Sequence, residues 1–269
     1  MKSLDNKLII YDSNCKVCSF LKEAILAVTS IPSARIVAYK ELDPVQKVKV
    51  DAARFRNEMA LIDLGMDATL YGPEGIYYIF SSESRFLSLL FGNRIIFRIF
   101  YFLYRVLAYN RYMIATPKSF IECDCYPDKK RTFRIAYIAF MILFSALLSL
   151  TLVASVSYLQ TGQQPIWLIL WGAPFLLGLM SLFLIKQNAL DYIGHLVSIL
   201  FVGTLCMLPS VILYNLSDFM KWPLLVNFIL SLFFMTYLHI HRLRFLGLSK
   251  AWSAGWFIII LLSGIITFN

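Results

Sequence analysis

After residue 134 the chain carries only seven formal charges in 135 residues, five basic and two acidic. So sparse a charge distribution belongs to a segment dissolved in lipid, where about 20 consecutive apolar residues cross the hydrocarbon core. Five stretches approach that length: Ile135 to Leu159, Ile166 to Ile185, Tyr192 to Tyr214, Trp222 to Ile240 and Trp252 to Phe268. Trp252 and Trp256 open the last one, as interfacial anchors do.

The first 134 residues are different. They hold 20 Lys and Arg against 14 Asp and Glu, an ordinary soluble composition. The pattern predicts a soluble domain over 1–115, a linker over 116–134 with a basic juxtamembrane run, and a membrane domain over 135–269. At 59% hydrophobic and 15% charged the chain is neither soluble throughout nor disordered. Its net charge of +9 does not point to nucleic acid, because no cluster of basic and aromatic residues accompanies it and much of the excess is juxtamembrane.

Orientation follows from the basic connections, which accumulate on the cytoplasmic side. Lys129, Lys130, Arg131 and Arg134 precede the first stretch, Lys186 follows the second, and Arg242, Arg244 and Lys250 follow the fourth. The loop from Gln160 to Pro165 has no charge, and that from Ser217 to Lys221 has one of each sign. No signal peptide is read at the start, so the front domain is expected in the cytoplasm and Asn269 outside. Ile95 to Tyr109 is apolar but short, and with Arg94, Arg98 and Arg105 on one stripe it reads as an amphipathic helix. It packs on a sheet or lies on the membrane surface.

The chemistry is concentrated near the N-terminus. Leu8 to Tyr11 reads as a buried strand, Asp12-Ser13-Asn14 as a tight turn and Cys15 to Val28 as a helix, which puts Cys15-Lys16-Val17-Cys18 on the helix's first turn. Unpaired N–H groups and the macrodipole favour negative charge there, so Cys15 is the expected nucleophile. Cys18, one turn further in, is placed to resolve a mixed disulfide. A zinc site and plain structural cysteines are the alternatives; zinc needs two further ligands, and Cys123 and Cys125 have an atypical spacing for it. No cofactor or metal is expected. Strands are also expected at Ala34 to Tyr39, Met59 to Asp63 and Ala68 to Tyr71, with helices at Glu74 to Leu90 and Asn93 to Tyr112.

The run Tyr11-Asp12-Ser13-Asn14-Cys15-Lys16-Val17-Cys18 resembles the Asp-x-x-Cys-x-x-Cys signature of the DCC-type thiol-disulfide oxidoreductases, a thioredoxin-like family. Tyr104-Arg105-Val106-Leu107-Ala108-Tyr109-Asn110-Arg111 resembles its closing helix, and the likeness covers residues 7 to about 113. Asn57 to Asp63, Asp191-Tyr192-Ile193-Gly194 and His239-Ile240-His241-Arg242 look like a bacterial subgroup that fuses such a domain to several spans. The resemblance implies thiol-disulfide exchange on a protein or small-molecule partner. It implies a thioredoxin-like α/β domain followed by an all-α membrane domain of about five spans. Asp12 then orients the turn, accepts a proton near the cysteines or caps the helix. One departure stands out: Arg56, Asn57 and Glu58 precede the expected third strand, where thioredoxins carry a cis-proline.

Other residues have plainer readings. Cys123 and Cys125 form a second redox pair or lie in a flexible linker, and Cys206 is a lone small residue in a span. Asp191 and His195 share a helix face at a shallow depth and read as interfacially solvated or as handling ions or protons, while His239, His241, Arg242 and Arg244 read as headgroup contacts, with metal binding the lesser alternative. Pro174, Pro209 and Pro223 kink helices. The expected function is a cytoplasm-facing thiol-disulfide oxidoreductase in a bacterial inner membrane. The alternative is a membrane binding or transport protein with a regulatory or structural cysteine domain.

Overall fold

The computed structural model describes residue 4 and residues 6–66, 68–118, 125–157, 176–185, 188–216 and 222–268. Two compact units divide the chain, Met1–Phe133 and Arg134–Asn269.

The first unit is built on a four-stranded mixed sheet: β1 (Lys7–Tyr11), β2 (Ile36–Ala38), β3 (Ala60–Asp63) and β4 (Thr69–Tyr71), in the order β2-β1-β3-β4. β1 runs parallel to β2 with Ile10 opposite Val37, and antiparallel to β3 with Ile9 opposite Leu61. Alternation along these strands sends side chains to two faces. Ile9 and Leu61 pack with Ile25 and Ile79 on one face; Ile10, Ala60 and Ile62 pack with Phe55 and Tyr71 on the other. Ile10, Ile25 and Ile62 are fully buried, each contributing about 1.5–3 kcal/mol.

Helices α1 (Lys16–Val28), α2 (Pro44–Val48), α3 (Ala52–Phe55), α4 (Gly72–Glu83), α5 (Arg85–Gly92), α6 (Arg94–Tyr109) and α7 (Arg111–Ile114) complete this unit. The helix expected over Glu74 to Leu90 is divided at Ser84, whose hydroxyl accepts from Leu87 N–H and starts α5. Asn93 repeats the device, its carboxamide oxygen accepting from the N–H groups of Ile95 and Ile96, and α5 and α6 meet at 91°. Side-chain caps thus end one helix and begin another. The α6 apolar residues split between two surroundings: Val106 and Tyr109 are buried, while Ile95, Ile99, Leu103 and Leu107 are exposed. Of the expected basic stripe, Arg105 turns to Glu58 at 3.3 Å.

The second unit contains α8 (Arg131–Ser157), which begins at the end of the first, then a helical stretch at 176–184, α9 (Ala189–Leu216), α10 (Trp222–Leu246) and α11 (Ala251–Phe268). Its core joins Leu177, Tyr192, Leu196, Ile199, Leu232, Leu243 and Trp256.

This architecture corrects the expected one. The structure does not show a thioredoxin-like α/β domain followed by about five spans: helix makes up 73% of the described residues, and the sheet is small. Among the described residues two helices are long and apolar enough to cross a membrane, Arg131–Leu150 and Ala189–Pro209, or three if the bent α5 and α6 pair is one span. The physical reasons are local. α10 carries Asn227 and, near its end, His239, His241, Arg242 and Arg244; the apolar part of α11 is the short Ala251–Leu262; the stretch Ile166 to Ile185 falls mostly outside the described residues. Cys123, Pro174, Lys186, Asn269 and the loops 160–165 and 217–221 also lie outside them.

Candidate functional site

Cys15 is the N-cap of α1, with extended backbone angles of φ −87° and ψ 117°. Its sulfur takes the place of the usual Ser or Asp oxygen, accepting from Cys18 N–H at 3.1 Å. Ahead of it, Asp12 closes the turn: its backbone oxygen accepts from Cys15 N–H and its Oδ1 from Asn14 N–H at 2.9 Å. The structure gives Asp12 the turn-orienting role and leaves the capping of α1 to Cys15.

The other Asp12 oxygen is held from the far end of the unit. Oδ2 accepts from Arg111 Nη2 and from the Tyr112 hydroxyl, both at 3.2 Å. Asp12, Arg111 and Tyr112 are all buried, so charge and countercharge meet away from water. Asn110 places Arg111 by breaking α6 and opening α7, its carboxamide nitrogen donating to Val106 O and Phe133 O.

Electrostatics separate the two thiols. A hydrogen bond from the Cys18 thiol lowers the Cys15 pKa, with help from the Arg111 charge and the Cys18 N–H, against the opposing effect of burial. The same hydrogen bond, with burial, raises the Cys18 thiol well above its ordinary value. Burial opposes the Arg111 charge, but Cys18, Cys15 and Asp12 outweigh it and raise its pKa. Of the two thiols, Cys15 is therefore the more readily ionised.

Access is another matter. An open nucleophile is the natural expectation for a helix N-terminus, yet Cys15 is 0% exposed and Cys18 only 7%. The chain after α7 crosses the cysteine turn: Lys118 N–H donates to Asn14 O, and its ammonium donates to Ser13 O and Ser19 Oγ. A second strap follows, where Asn57 and Asp128 exchange two hydrogen bonds of 2.8 and 2.9 Å and Arg111 Nη2 donates to Cys125 O at 2.6 Å. Residues 125–133, expected as part of a linker, are thus fixed to the first unit. Cys125 is buried and disulfide-bonded, whereas Cys15, Cys18 and Cys206 are free thiols.

Tyr104, Met59 and Glu58 form a further polar group in this unit. Tyr104 accepts from Met59 N–H at 3.2 Å, and its hydroxyl pKa is raised by burial and by the nearby Cys18 and Glu58 charges. Gly72 permits this packing: its φ is +51°, and a Cβ there would meet the Tyr104 ring at 2.8 Å and Glu58 Oε2 at 2.9 Å. The run Tyr104 to Arg111 and the residues Arg56 to Glu58 were visible as signals, but only the fold brings them to the cysteines. Tyr112 carries no sequence signal.

The second unit holds its own buried polar chain. Arg134 pairs with Asp191 at 3.2 Å, Arg242 Nη1 lies 2.9 Å from His195 Nδ1, and Tyr137 and Ser198 join hydroxyls at 2.8 Å. His239 Nε2 meets the Tyr192 hydroxyl at 3.1 Å and its Nδ1 meets the Ser253 hydroxyl at 2.9 Å, with the ring stacked on Trp256. Here the structure corrects two expectations. His195 and His239 are 2% and 1% exposed, and Asp191 and Arg242 are buried, so these groups are neither interfacially solvated nor headgroup contacts. Only Arg244 is exposed and His241 half-buried, because they lie on the other side of the helix. Among the described residues no group of three His, Cys, Asp or Glu is placed to hold a metal.

No family model matches the chain, and neither a curated protein nor a solved structure matches it.

Proposed function

We propose that the chain is a membrane-bound thiol-disulfide oxidoreductase of the DCC type, with Cys15 as nucleophile and Cys18 as resolving thiol. The observation that carries the reading is the pair of hydrogen bonds from Cys18 to the Cys15 sulfur beside the Arg111 charge. The Cys15 thiolate attacks a substrate disulfide, forms a mixed disulfide and releases one substrate thiolate. Cys18 then gives up its proton and attacks Cys15 Sγ; the second substrate thiolate leaves and takes up the proton. The substrate is reduced to a dithiol while Cys15 and Cys18 become a disulfide.

The test is a pH profile of iodoacetamide alkylation on the full chain in detergent. Only thiolate reacts, so Cys15 labelling is expected to rise with a midpoint below the ordinary thiol value of about 8.5. Cys18 is expected to stay unlabelled through that range. Because Cys15 is itself buried, the plateau rate is expected to be slower than that of the same protein in urea. A Cys15 midpoint at or above that of Cys18 would remove the nucleophile assignment.

The reading also has a topology. Lys129 and Lys130 precede α8 and Arg131 opens it, which supports a cytoplasmic first unit in a bacterial inner membrane. A reporter active only outside the membrane is expected to be silent when fused ahead of Met1. An active reporter there would place Cys15 and Cys18 in an oxidising compartment and turn the reductase into an oxidase or isomerase.

A further inference from the structure

The first unit leaves an apolar stripe uncovered. Ile95, Ile99, Leu103 and Leu107 recur at every fourth position of α6, on one side of the helix, and are 68%, 56%, 43% and 52% exposed. Across the bend at Asn93, α5 adds Phe86 and Leu89, also exposed. Single apolar residues at a surface need no explanation, but a run of them on two successive helices marks a contact face. The other side of α6 is already taken. The Tyr104 hydroxyl accepts from Met59 N–H at 3.2 Å, Arg105 pairs with Glu58 at 3.3 Å, and Val106 and Tyr109 are buried. α6 is thus held to the first unit, and its 16 residues measure about 24 Å, short of the roughly 30 Å hydrocarbon core.

Charge and position identify what covers the stripe. From Arg85 to Ile121 the sequence has no Asp or Glu, and Arg85, Arg94 and Arg98 are all exposed. A second copy meeting this face would bring like charges together, whereas lipid phosphates would neutralise them. The bilayer is also at hand. Phe133, in the first turn of α8 where a candidate span begins, stacks on Tyr109 with ring centroids 4.8 Å apart and lies 6.3 Å from the Phe102 ring. The chain therefore enters lipid from a point held against α6.

We infer that α5 and α6 form an interfacial anchor, lying along the surface of an anionic bilayer with their exposed apolar side chains between headgroups and acyl chains and Arg94 and Arg98 on lipid phosphates. The anchor does not depend on the cysteine chemistry. It does bear on the site's position, since α6 runs directly into Asn110 and Arg111, and Arg111 reaches Asp12.

The experiment uses the full chain in vesicles of equal phosphatidylcholine and phosphatidylglycerol, doped with one of two diazirine phospholipids. A shallow probe carries the diazirine beside the glycerol, and a deep one at the end of the acyl chain. After photolysis and trypsin, α5 is read in the peptide 86–94, α6 in 99–105 and α9 in 187–221. The shallow probe is expected to label 86–94 and 99–105, and the deep probe to label 187–221 but not those two. Peptide 41–47, whose Val45 on α2 is 73% exposed, is expected to stay unlabelled. Arg94→Glu with Arg98→Glu is expected to cut shallow labelling of α5 and α6 about threefold without changing the labelling of 187–221. Wild-type protein in pure phosphatidylcholine vesicles is expected to show the same fall, which gives a reading free of any folding defect in the variant. Four results overturn the inference. No label on 86–94 and 99–105 from either probe means that protein covers the face. Deep labelling as strong as shallow labelling places α6 across the core. Equal labelling of 41–47 reduces the signal to exposure alone, and labelling that ignores both the charge reversal and the loss of phosphatidylglycerol removes the phosphate contacts.

Discussion

Replacing Arg111 with methionine is expected to cost the first unit about 3–5 kcal/mol, because it leaves the Asp12 carboxylate buried without its cation. Arg111 and Asp12 are both almost fully buried, so water cannot replace the lost partner cheaply. The loss is measured by pulse proteolysis in urea on the detergent-solubilised chain. Adding Asp12→Asn to the same protein is expected to recover part of it, since the uncompensated charge is then gone. Arg111→Lys is expected to fall between, because the shorter lysine keeps the charge but not the planar guanidinium that sets Nη2 between Asp12 Oδ2 and Cys125 O. The chemistry moves with the fold: removing the positive charge takes away one cause of the lowered Cys15 pKa, so the alkylation midpoint shifts upward. A loss under about 1 kcal/mol with an unchanged midpoint would mean that Asp12 is solvated and Arg111 idle.

A loss of similar size is expected in the second unit from Arg134→Leu. The ion pair with Asp191 joins α8 to α9 at 3.2 Å, and both side chains are buried. Breaking one side of such a pair costs about 3–5 kcal/mol, whereas replacing both sides by apolar residues is often neutral. The double variant Arg134→Leu with Asp191→Leu is therefore expected to regain most of the stability, measured by thermal inactivation in detergent. A single variant as stable as the parent would place the pair in contact with water.

How far the sequence reveals this molecule depends on the distance over which the signal acts. The strand before the cysteine pair, the turn at Asp12 and the start of α1 are all local. They follow from alternation, from an Asx turn and from a helix N-terminus, and they appear where expected. The start of a helix at Asn93 was read from the sequence, whereas the division at Ser84 was readable in principle, since serine caps helices, but stands within an apolar run whose periodicity hides it. The count of spans failed for a related reason. Hydropathy sums over α10 the apolar residues and the late His and Arg alike, and only the fold shows that His239 and Arg242 turn inward. The site was half legible: Cys15, Cys18 and Asp12 come from one short run, while Arg111 and Tyr112 reach Asp12 from about a hundred positions away. No periodicity encodes that meeting. The burial of Cys15 was hidden in the same way, because the strap that covers it comes from residues 116–118.

His239 has a consequence for the proton arrangement of the helices around it. Its two ring nitrogens each face a hydroxyl, Tyr192 on α9 and Ser253 on α11. A neutral imidazole donates from one nitrogen and accepts at the other, so the two hydroxyls must play opposite parts. If Tyr192 gives its hydrogen to the ring, the ring gives one to Ser253; if Ser253 gives, the ring passes one to Tyr192. Three helices are thereby bound into a single polarity, and the tautomer of one side chain sets its direction for all of them.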